Sequence, residues 1–370
     1  MRRWHLPLGG LLALVLVLVA DRLVFSDAEL WAHLEQRLEL VPKALVRVEL
    51  GIARDRIDLA RLRHAAPDVA RVILFGNSRA NDGFLFREVP PGFELARLTH
   101  APLSPLEFRL SARELAADAD LVVALFSEYD THRPPRIVPR AGFADLRATG
   151  SLVLDAVLSR SGWEPRFAFD KRVGLERLGL AALFDAYRYR DVLERAWLDD
   201  ALGFRADEAG RLPTLVSHEL DGSATRSSEF QDLRARFRRT VGERFPDTQL
   251  IQLQDIRPGP HVAANEGLIE AAVAHLRARG REVLIVEGPL HPLCAELYDQ
   301  GTTRAQFVDF ARRLEREHGA HFLALEDSGP FVEGDFSDPL HLLARRGREI
   351  GTRVLREAAA VLSVEAPHGR

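Results

Sequence analysis

Short apolar runs alternate with helical patterns in the first third of the chain. Residues 72–75 form an apolar run typical of a buried strand, residues 93–98 a weaker one and residues 121–126 a strong one. Residues 106–117, between the last two runs, have the periodicity of a helix. Strands that alternate with helices in this way predict a parallel sheet with helices on both faces.

The same alternation returns near the end of the chain. Helical patterns at residues 265–279 and 303–318 each precede an apolar run, at residues 282–287 and 321–325. A last helix is predicted over residues 342–362. The two regions together predict an α/β protein with a three-layer α/β/α, flavodoxin-like arrangement.

The segment between these regions, residues 133–250, does not alternate. It opens with several prolines and continues with helical pieces rich in arginine and leucine. We expect it to be a helical insertion or lid over a core that is built in two parts, from residues 67–132 and residues 251–365.

The N-terminus has the pattern of an export signal. Arg2 and Arg3 precede an uncharged run from Leu6 to Ala20, which is short for a full membrane span. An uncleaved signal anchor over residues 1–25 is favoured, with the body periplasmic, against a cleaved signal peptide or a buried core helix. Residues 26–66 have amphipathic periodicity and are expected to form a helical linker from the membrane to the body.

Composition excludes several classes of protein. The 370 residues carry a net charge of −4, without the basic bias that nucleic-acid binding needs. Cys294 is the only cysteine, so neither an internal disulfide nor a CxxC metal site is possible. No glycine-rich phosphate loop and no histidine–carboxylate cluster with metal-ligand spacing occurs, so no cofactor or metal is expected.

Candidate chemistry begins where the first predicted strand ends. Gly76, Asn77 and Ser78 follow Phe75 directly, and open α/β sheets bind their ligands at the carboxyl ends of strands. A serine there, with backbone N–H groups nearby, suits a nucleophile. The alternative is a Gly-Asn turn followed by a serine that caps the next helix.

A serine nucleophile needs a base, and the base needs a group that orients it. Asp338 and His341 stand three residues apart, just before the last predicted helix. This spacing lets the carboxylate accept from one imidazole nitrogen while the other nitrogen faces the serine. Asp335 is a competing carboxylate, and the alternative is a plain loop with an exposed histidine.

The strand-Gly-Asn-Ser motif together with the Asp-Pro-Leu-His motif resembles the SGNH (GDSL-like) hydrolase superfamily. The resemblance implies that Ser78 is the nucleophile, His341 the general base and Asp338 its orienting partner. It covers roughly residues 68–135 and 255–365. The N-terminal anchor and the insertion are similar to the membrane-anchored branch, which includes DltD-like and alginate O-acetylation proteins that act with membrane-bound O-acyltransferases on envelope polymers.

The sequence departs from the family at the oxyanion hole. Pro102 falls near the position of a glycine N–H donor and has no N–H, so the N–H of Leu103 or Ser104 would have to substitute. Tyr129 stands where the family has an asparagine donor, in the segment that Ser127 opens. Losing one oxyanion donor typically lowers the rate by about 10²–10³.

Further residues are candidates for the oxyanion hole or for substrate contact. Gly76, Asn77, Leu103 and Ser127 belong to the two motif regions, and His291 lies just beyond a predicted strand. A solvent-facing loop is as good an interpretation of His291.

The expected function is an extracytoplasmic serine esterase or O-acyltransferase acting on acyl esters of an envelope glycan or lipid. The alternative is a catalytically impaired scaffold of the same fold that partners a membrane-bound O-acyltransferase. A third possibility is an unrelated α/β protein in which the two motifs are accidental.

Overall fold

A computed structural model describes most of the chain outside the insertion. The residues described are 5–41, 43–84, 89, 91–99, 104–132, 147, 149–152, 154, 180–198, 261–292, 302–326, 331–336 and 340–364. Most of the predicted insertion, together with Leu103, Cys294 and Asp338, lies outside these residues.

Five parallel strands form the centre of the molecule. They are β1 (Ala70–Phe75), β2 (Phe93–Leu98), β3 (Leu121–Phe126), β4 (Glu282–Glu287) and β5 (His321–Leu323). Their spatial order is β2-β1-β3-β4-β5, and every neighbouring pair is parallel. The predicted parallel sheet is confirmed. The observed order of its strands is that of a doubly wound, flavodoxin-like sheet.

The helices of the core connect these strands. They are α4 (Ser78–Gly83), α5 (Pro105–Asp118), α6 (Glu128–His132), α9 (Val262–Arg277), α10 (Thr302–His318) and α11 (Ala344–Val364). Local chemistry sets where α5 begins: Ser104 caps it by accepting from the Glu107 N–H, and Pro105 occupies the first turn, where its missing N–H costs nothing.

The sheet is buried on both faces, and successive strand residues point to opposite sides. In β1, Ile73 and Phe75 pack with α3 (Lys43–Arg63), α5, α9 and α10, whereas Val72 and Leu74 pack with α4 and α11. β3 and β4 alternate in the same way. Strands enclosed on both faces need continuous apolar runs, which explains why periodicity identified them. The arrangement is consistent with three α/β/α layers.

The first three helices of the chain take part in a separate hydrophobic core. They are α1 (His5–Phe25), α2 (Ala28–Glu39) and α3 (Lys43–Arg63), and short helices from the insertion join them: α7 (Asp185–Arg188), α8 (Arg190–Leu193) and a π-helical turn (Glu194–Leu198). Trp31 and Leu34 of α2 are buried there against Tyr189. Residues 180–198 of the insertion therefore pack on the N-terminal helices.

The predicted membrane anchor is not confirmed. The segment forms α1 as expected, but within the described residues no helix combines the length and apolar character that a bilayer crossing requires.

Phe108 tests the core between the sheet and α5. It is fully buried, with its ring centroid 4.9 Å from that of Phe75 and 5.3 Å from that of Phe126. Phe108→Ala should lower the free energy of unfolding by about 3–5 kcal/mol through lost burial and a residual cavity, measured by urea denaturation. Leu40→Ala is the control, because Leu40 is 87% exposed; an equal loss in both variants would contradict the assigned core.

Candidate functional site

The strand order creates a cleft at one defined point of the sheet. β2 lies on one side of β1 and β3 on the other. The chain therefore leaves β1 toward β2 and leaves β3 in the opposite direction, toward β4. Ligands of open α/β sheets bind at such a switch point, outside the carboxyl ends of the strands. The residues that follow Phe75 of β1 and Phe126 of β3 meet there.

The turn after β1 is shaped by Gly76 and Asn77. A Cβ atom on Gly76 would lie only 2.5 Å from the Cβ of Ala80, so the close approach of α4 requires glycine. Asn77 caps α4, because its side chain accepts a hydrogen bond from the Arg79 N–H at 3.0 Å. The capping role that sequence analysis offered as the alternative for Ser78 is thus taken by Asn77.

Ser78 and His341 are in hydrogen-bonding contact. The Nε2 atom of His341 lies 2.9 Å from the Oγ atom of Ser78, although 263 positions separate them in the chain. Ser78 is partly exposed at the start of α4, and His341 is half-buried. This is the distance at which an imidazole accepts a hydroxyl proton. Within the described residues, the Ser78 N–H donates to no acceptor.

The loop that carries His341 is closed at its base. Phe336 and Leu342 form an antiparallel bridge, and the Leu343 N–H donates to the Asp335 carbonyl at 2.7 Å. This closure holds His341 at the start of α11, facing α4. Asp338 lies in the same loop but outside the described residues, so its role as orienting partner stays a prediction.

Asp335, the competing carboxylate, has other partners. Its side chain accepts from the Val332 N–H at 3.2 Å and lies 3.6 Å from the Arg346 guanidinium. It is therefore engaged in holding the loop rather than in contact with the His341 ring.

A buried ion pair stabilises the turn after β1 that carries Ser78, called the serine turn below. The Arg79 guanidinium pairs with the Asp130 carboxylate, and both side chains are almost completely buried. Arg79 also donates to the Oγ of Ser127 at 2.8 Å and stacks over the Tyr129 ring at 4.8 Å. Asp130 accepts from the Asn77 amide at 2.9 Å and from the Ser127 N–H at 2.9 Å. The network links the turn after β1 to the turn after β3.

This network defines the position of two predicted oxyanion candidates. The oxygen of the Asn77 side chain is used for the Arg79 N–H and its nitrogen for Asp130. The Ser127 hydroxyl is fully buried and accepts from Arg79 and from the Tyr129 N–H. Both side chains therefore hold the turns, and Leu103 lies outside the described residues.

Neither Arg79 nor Asp130 was among the predicted site residues. Both follow strands that end at the same edge of the sheet, and this placement is the signal that could have indicated them. A long cation and a carboxylate at adjacent strand ends are positioned to pair.

His291 lies at the same end of the sheet, beyond β4. Its side chain is buried, and its ring centroid is 5.3 Å from that of Phe336, which bridges to the residue after His341. The structure therefore places His291 beside the base of the His341 loop, and the solvent-facing alternative is wrong for this residue.

A second set of charges lies at the carboxyl ends of β3, β4 and β5. Glu287 forms a bidentate pair with Arg304, at 2.6 and 3.0 Å, and Arg304 also contacts Glu326 at 2.9 Å. Glu128 is buried nearby, and burial raises its pKa to about 7, with the Glu287 carboxylate adding to the rise. A carboxyl group next to Ser127 is thus partly protonated near neutral pH.

One group of described side chains has the spacing of metal ligands. Glu270, Glu317 and His318 come within reach of a common ion, on α9 and α10. None of them belongs to the Ser78 site, and His318 is already paired with Glu270 at 3.1 Å.

Comparison with known proteins gives no assignment. The chain matches no known family profile and no curated protein. Among solved structures it aligns with the crystal structure of CobT from Thermus thermophilus, at 15% sequence identity and a TM-score of 0.18, over 92% of this chain and 99% of that chain. A TM-score this low does not show a common fold. The resemblance to SGNH hydrolases therefore stays a prediction.

Asp130→Asn tests the ion pair under the serine turn. The substitution leaves the buried Arg79 guanidinium without a counter-charge, so we expect a loss of about 3 kcal/mol in the free energy of unfolding. Asp68→Asn, at an exposed position, should change it by less than about 0.5 kcal/mol. Equal stabilities of the two variants in urea denaturation would show that the pair does not hold the turns together.

Glu128 should make stability depend on pH. Its pKa is about 7 in the folded protein, against an ordinary value of 4.5, so between these values the unfolded chain releases a proton that the folded protein keeps. Stability should therefore fall as pH rises from about 4.5 to 7, by up to about 3 kcal/mol. Glu128→Gln should remove this part of the slope, whereas Glu333→Gln, at an exposed position, should keep it. Parallel slopes in all three proteins, measured by urea unfolding across pH, would refute the assignment.

Proposed function

We propose that this chain is a serine esterase or O-acyltransferase with an SGNH-type site, in which Ser78 is the nucleophile and His341 the general base. The observation that carries the proposal is the 2.9 Å contact between His341 Nε2 and Ser78 Oγ at the switch point of the sheet. The contact joins two segments that are 263 positions apart and places a hydroxyl beside an imidazole where open α/β sheets bind their ligands.

The reaction would proceed in two acyl-transfer steps. Ser78 Oγ attacks the carbonyl carbon of an ester while His341 takes the hydroxyl proton. The ester C–O bond breaks, and the leaving alcohol receives that proton from the imidazolium. Water or a sugar hydroxyl then attacks the acyl-serine, with His341 again acting as base. Asp338 would orient the imidazole, as the resemblance implies.

The oxyanion would be stabilised first by the Ser78 N–H, which has no acceptor within the described residues. Arg79 and Asp130 would contribute indirectly, because they hold the turn that positions this N–H. Their buried charges would fix the position of Ser78 without contacting substrate.

The substrate class follows from the resemblance and from the N-terminal segment. They indicate an acylated envelope glycan or lipid as the substrate. They also indicate a periplasmic body attached at the membrane and a membrane-bound O-acyltransferase as the partner. Transfer to a sugar rather than to water would require water to be excluded from the acyl-serine.

One observation favours a second candidate, the impaired scaffold that partners an acyltransferase. Ser127 and Tyr129 occupy the segment after β3, and both side chains are buried against Arg79. That segment therefore supplies no asparagine donor to an oxyanion.

A fluorophosphonate probe distinguishes the two candidates. The full-length chain should be labelled at Ser78, and Ser78→Ala should abolish labelling. His341→Ala should slow it by about 10³-fold or more, because the hydroxyl loses its base. His318→Ala is the control, since this histidine lies on α10 and pairs with Glu270. Absence of labelling in a folded chain, or equal labelling of the His341 variant, would favour the scaffold.

A further inference from the structure

A cavity of about 550 Å³ lies where α1, α3, α5 and α7 meet. None of the residues of the Ser78 site lines it. Two of its lining residues are substantially exposed, Arg22 by 42% of its side chain and Leu183 by 38%, so the cavity is open to solvent. Its volume is in the range of small-molecule binding sites.

Arginines dominate the charge of the lining. Among the described residues, five guanidinium groups line the cavity, from Arg22, Arg56, Arg63, Arg113 and Arg188, against two carboxylates, from Glu114 and Asp185. The described lining therefore has an excess of three positive charges.

Each of the two carboxylates is shared. Asp185 pairs with Arg22 at 2.5 Å and with Arg188 at 3.2 Å. Glu114 pairs with Arg56 and, at 3.5 Å, with Arg63.

Two further carboxylates border the cavity without lining it. Asp118 pairs with Arg63 at 2.6 Å, and Asp21 accepts the backbone N–H groups of Asp185 and Ala186. Even when both are counted, the described charges at the cavity sum to one positive charge. An anion in the cavity would be stabilised by this excess, and guanidinium groups match phosphate oxygens in geometry.

One wall of the cavity is apolar and continues outward along α1. Leu18 and Phe25 of this helix line the cavity beside Leu110 of α5. Nine large apolar side chains of α1 are at least 46% exposed: Leu11, Leu12, Leu14, Val15, Leu16, Val17, Val19, Leu23 and Val24. An exposed apolar surface of this size marks a binding surface. The basic cavity adjoins one end of it.

We propose that this cavity binds the anionic phosphate headgroup of a lipid whose acyl chains lie along the exposed face of α1. A cationic pocket next to an apolar helix is complementary to an amphiphile with one negative end. A free phosphate ester would use the same guanidinium groups but would leave the α1 face uncovered. The site is independent of the chemistry at Ser78.

Vesicle binding of the full-length chain tests the proposal. Affinity should be higher for phosphatidylcholine vesicles that contain phosphatidylglycerol than for phosphatidylcholine alone or with diacylglycerol, which has the chains without the phosphate. Arg113→Gln should lower the affinity for the phosphatidylglycerol vesicles about fivefold, the factor that corresponds to about 1 kcal/mol per arginine. Arg113 is exposed on α5, so this variant should fold.

Two more variants distinguish binding in the cavity from electrostatic attraction to the protein surface as a whole. Ala117→Trp fills the cavity from an exposed position of its lining without changing charge, and it should also lower the affinity severalfold. Arg312→Gln removes the same charge from α10, outside the lining, and should bind as the parent chain does. Ser78→Ala should also bind normally, which separates this proposal from the proposed activity.

Three results would overturn the proposal. An equal loss in Arg113→Gln and Arg312→Gln would show nonspecific electrostatic attraction. Unchanged binding by Ala117→Trp would show that the cavity is not used. Full competition by soluble glycerol phosphate would show a phosphate site that needs no acyl chain.

Discussion

The pairing of β1 with β3 is the constraint on which the rest of the molecule depends. Placing β1 between β2 and β3 makes the chain cross to both sides of the sheet, so both faces must be covered by helices. It also brings the ends of β1 and β3 together and opens a cleft between the turns that follow. Ser78 and Arg79 follow β1, Ser127 and Asp130 follow β3, and His341 reaches this edge from the loop before α11.

The polar groups at this edge are arranged in two levels. Arg79 and Asp130 form a buried layer that joins the two turns, and Asn77 couples this layer to the cap of α4. Above it, Ser78 keeps its hydroxyl for His341 because Asn77 performs the capping. A buried ion pair stabilises little by itself, but it is costly to break, so it favours one geometry of the turns over others.

The N-terminal helices contribute a different kind of surface. α2 and α3 bury an aromatic core around Trp31 and Tyr189, whereas α1 keeps most of its apolar side chains exposed and borders an arginine-lined cavity. The molecule thus presents a serine–histidine contact at the sheet edge and an amphiphilic surface beside the N-terminal helices.

The sequence pattern determined the elements of the core, because the central strands are buried on both faces and need apolar runs. The edge strand β2, which includes Glu94 and Arg97, has the weakest run. β2, β3 and β4 were predicted to the residue, while β1 begins two residues before its predicted run and β5 ends two residues earlier than its run. The sequence also identified Ser78 and His341, since each stands at a recognisable boundary between a strand or loop and a helix.

The pairing of His341 with Ser78 was expected from the resemblance, and the contact itself is found in the tertiary structure. His341 contacts Ser78 across 263 positions because of the order of the strands and the closed loop before α11. Local periodicity in the sequence predicts neither of these. The roles of Arg79 and Asp130, and the burial of His291, likewise arise from contacts between distant segments. The local sequence pattern indicates whether a residue is buried within its own helix or strand. Contacts between distant side chains and the pairing of buried charges depend on the assembled fold.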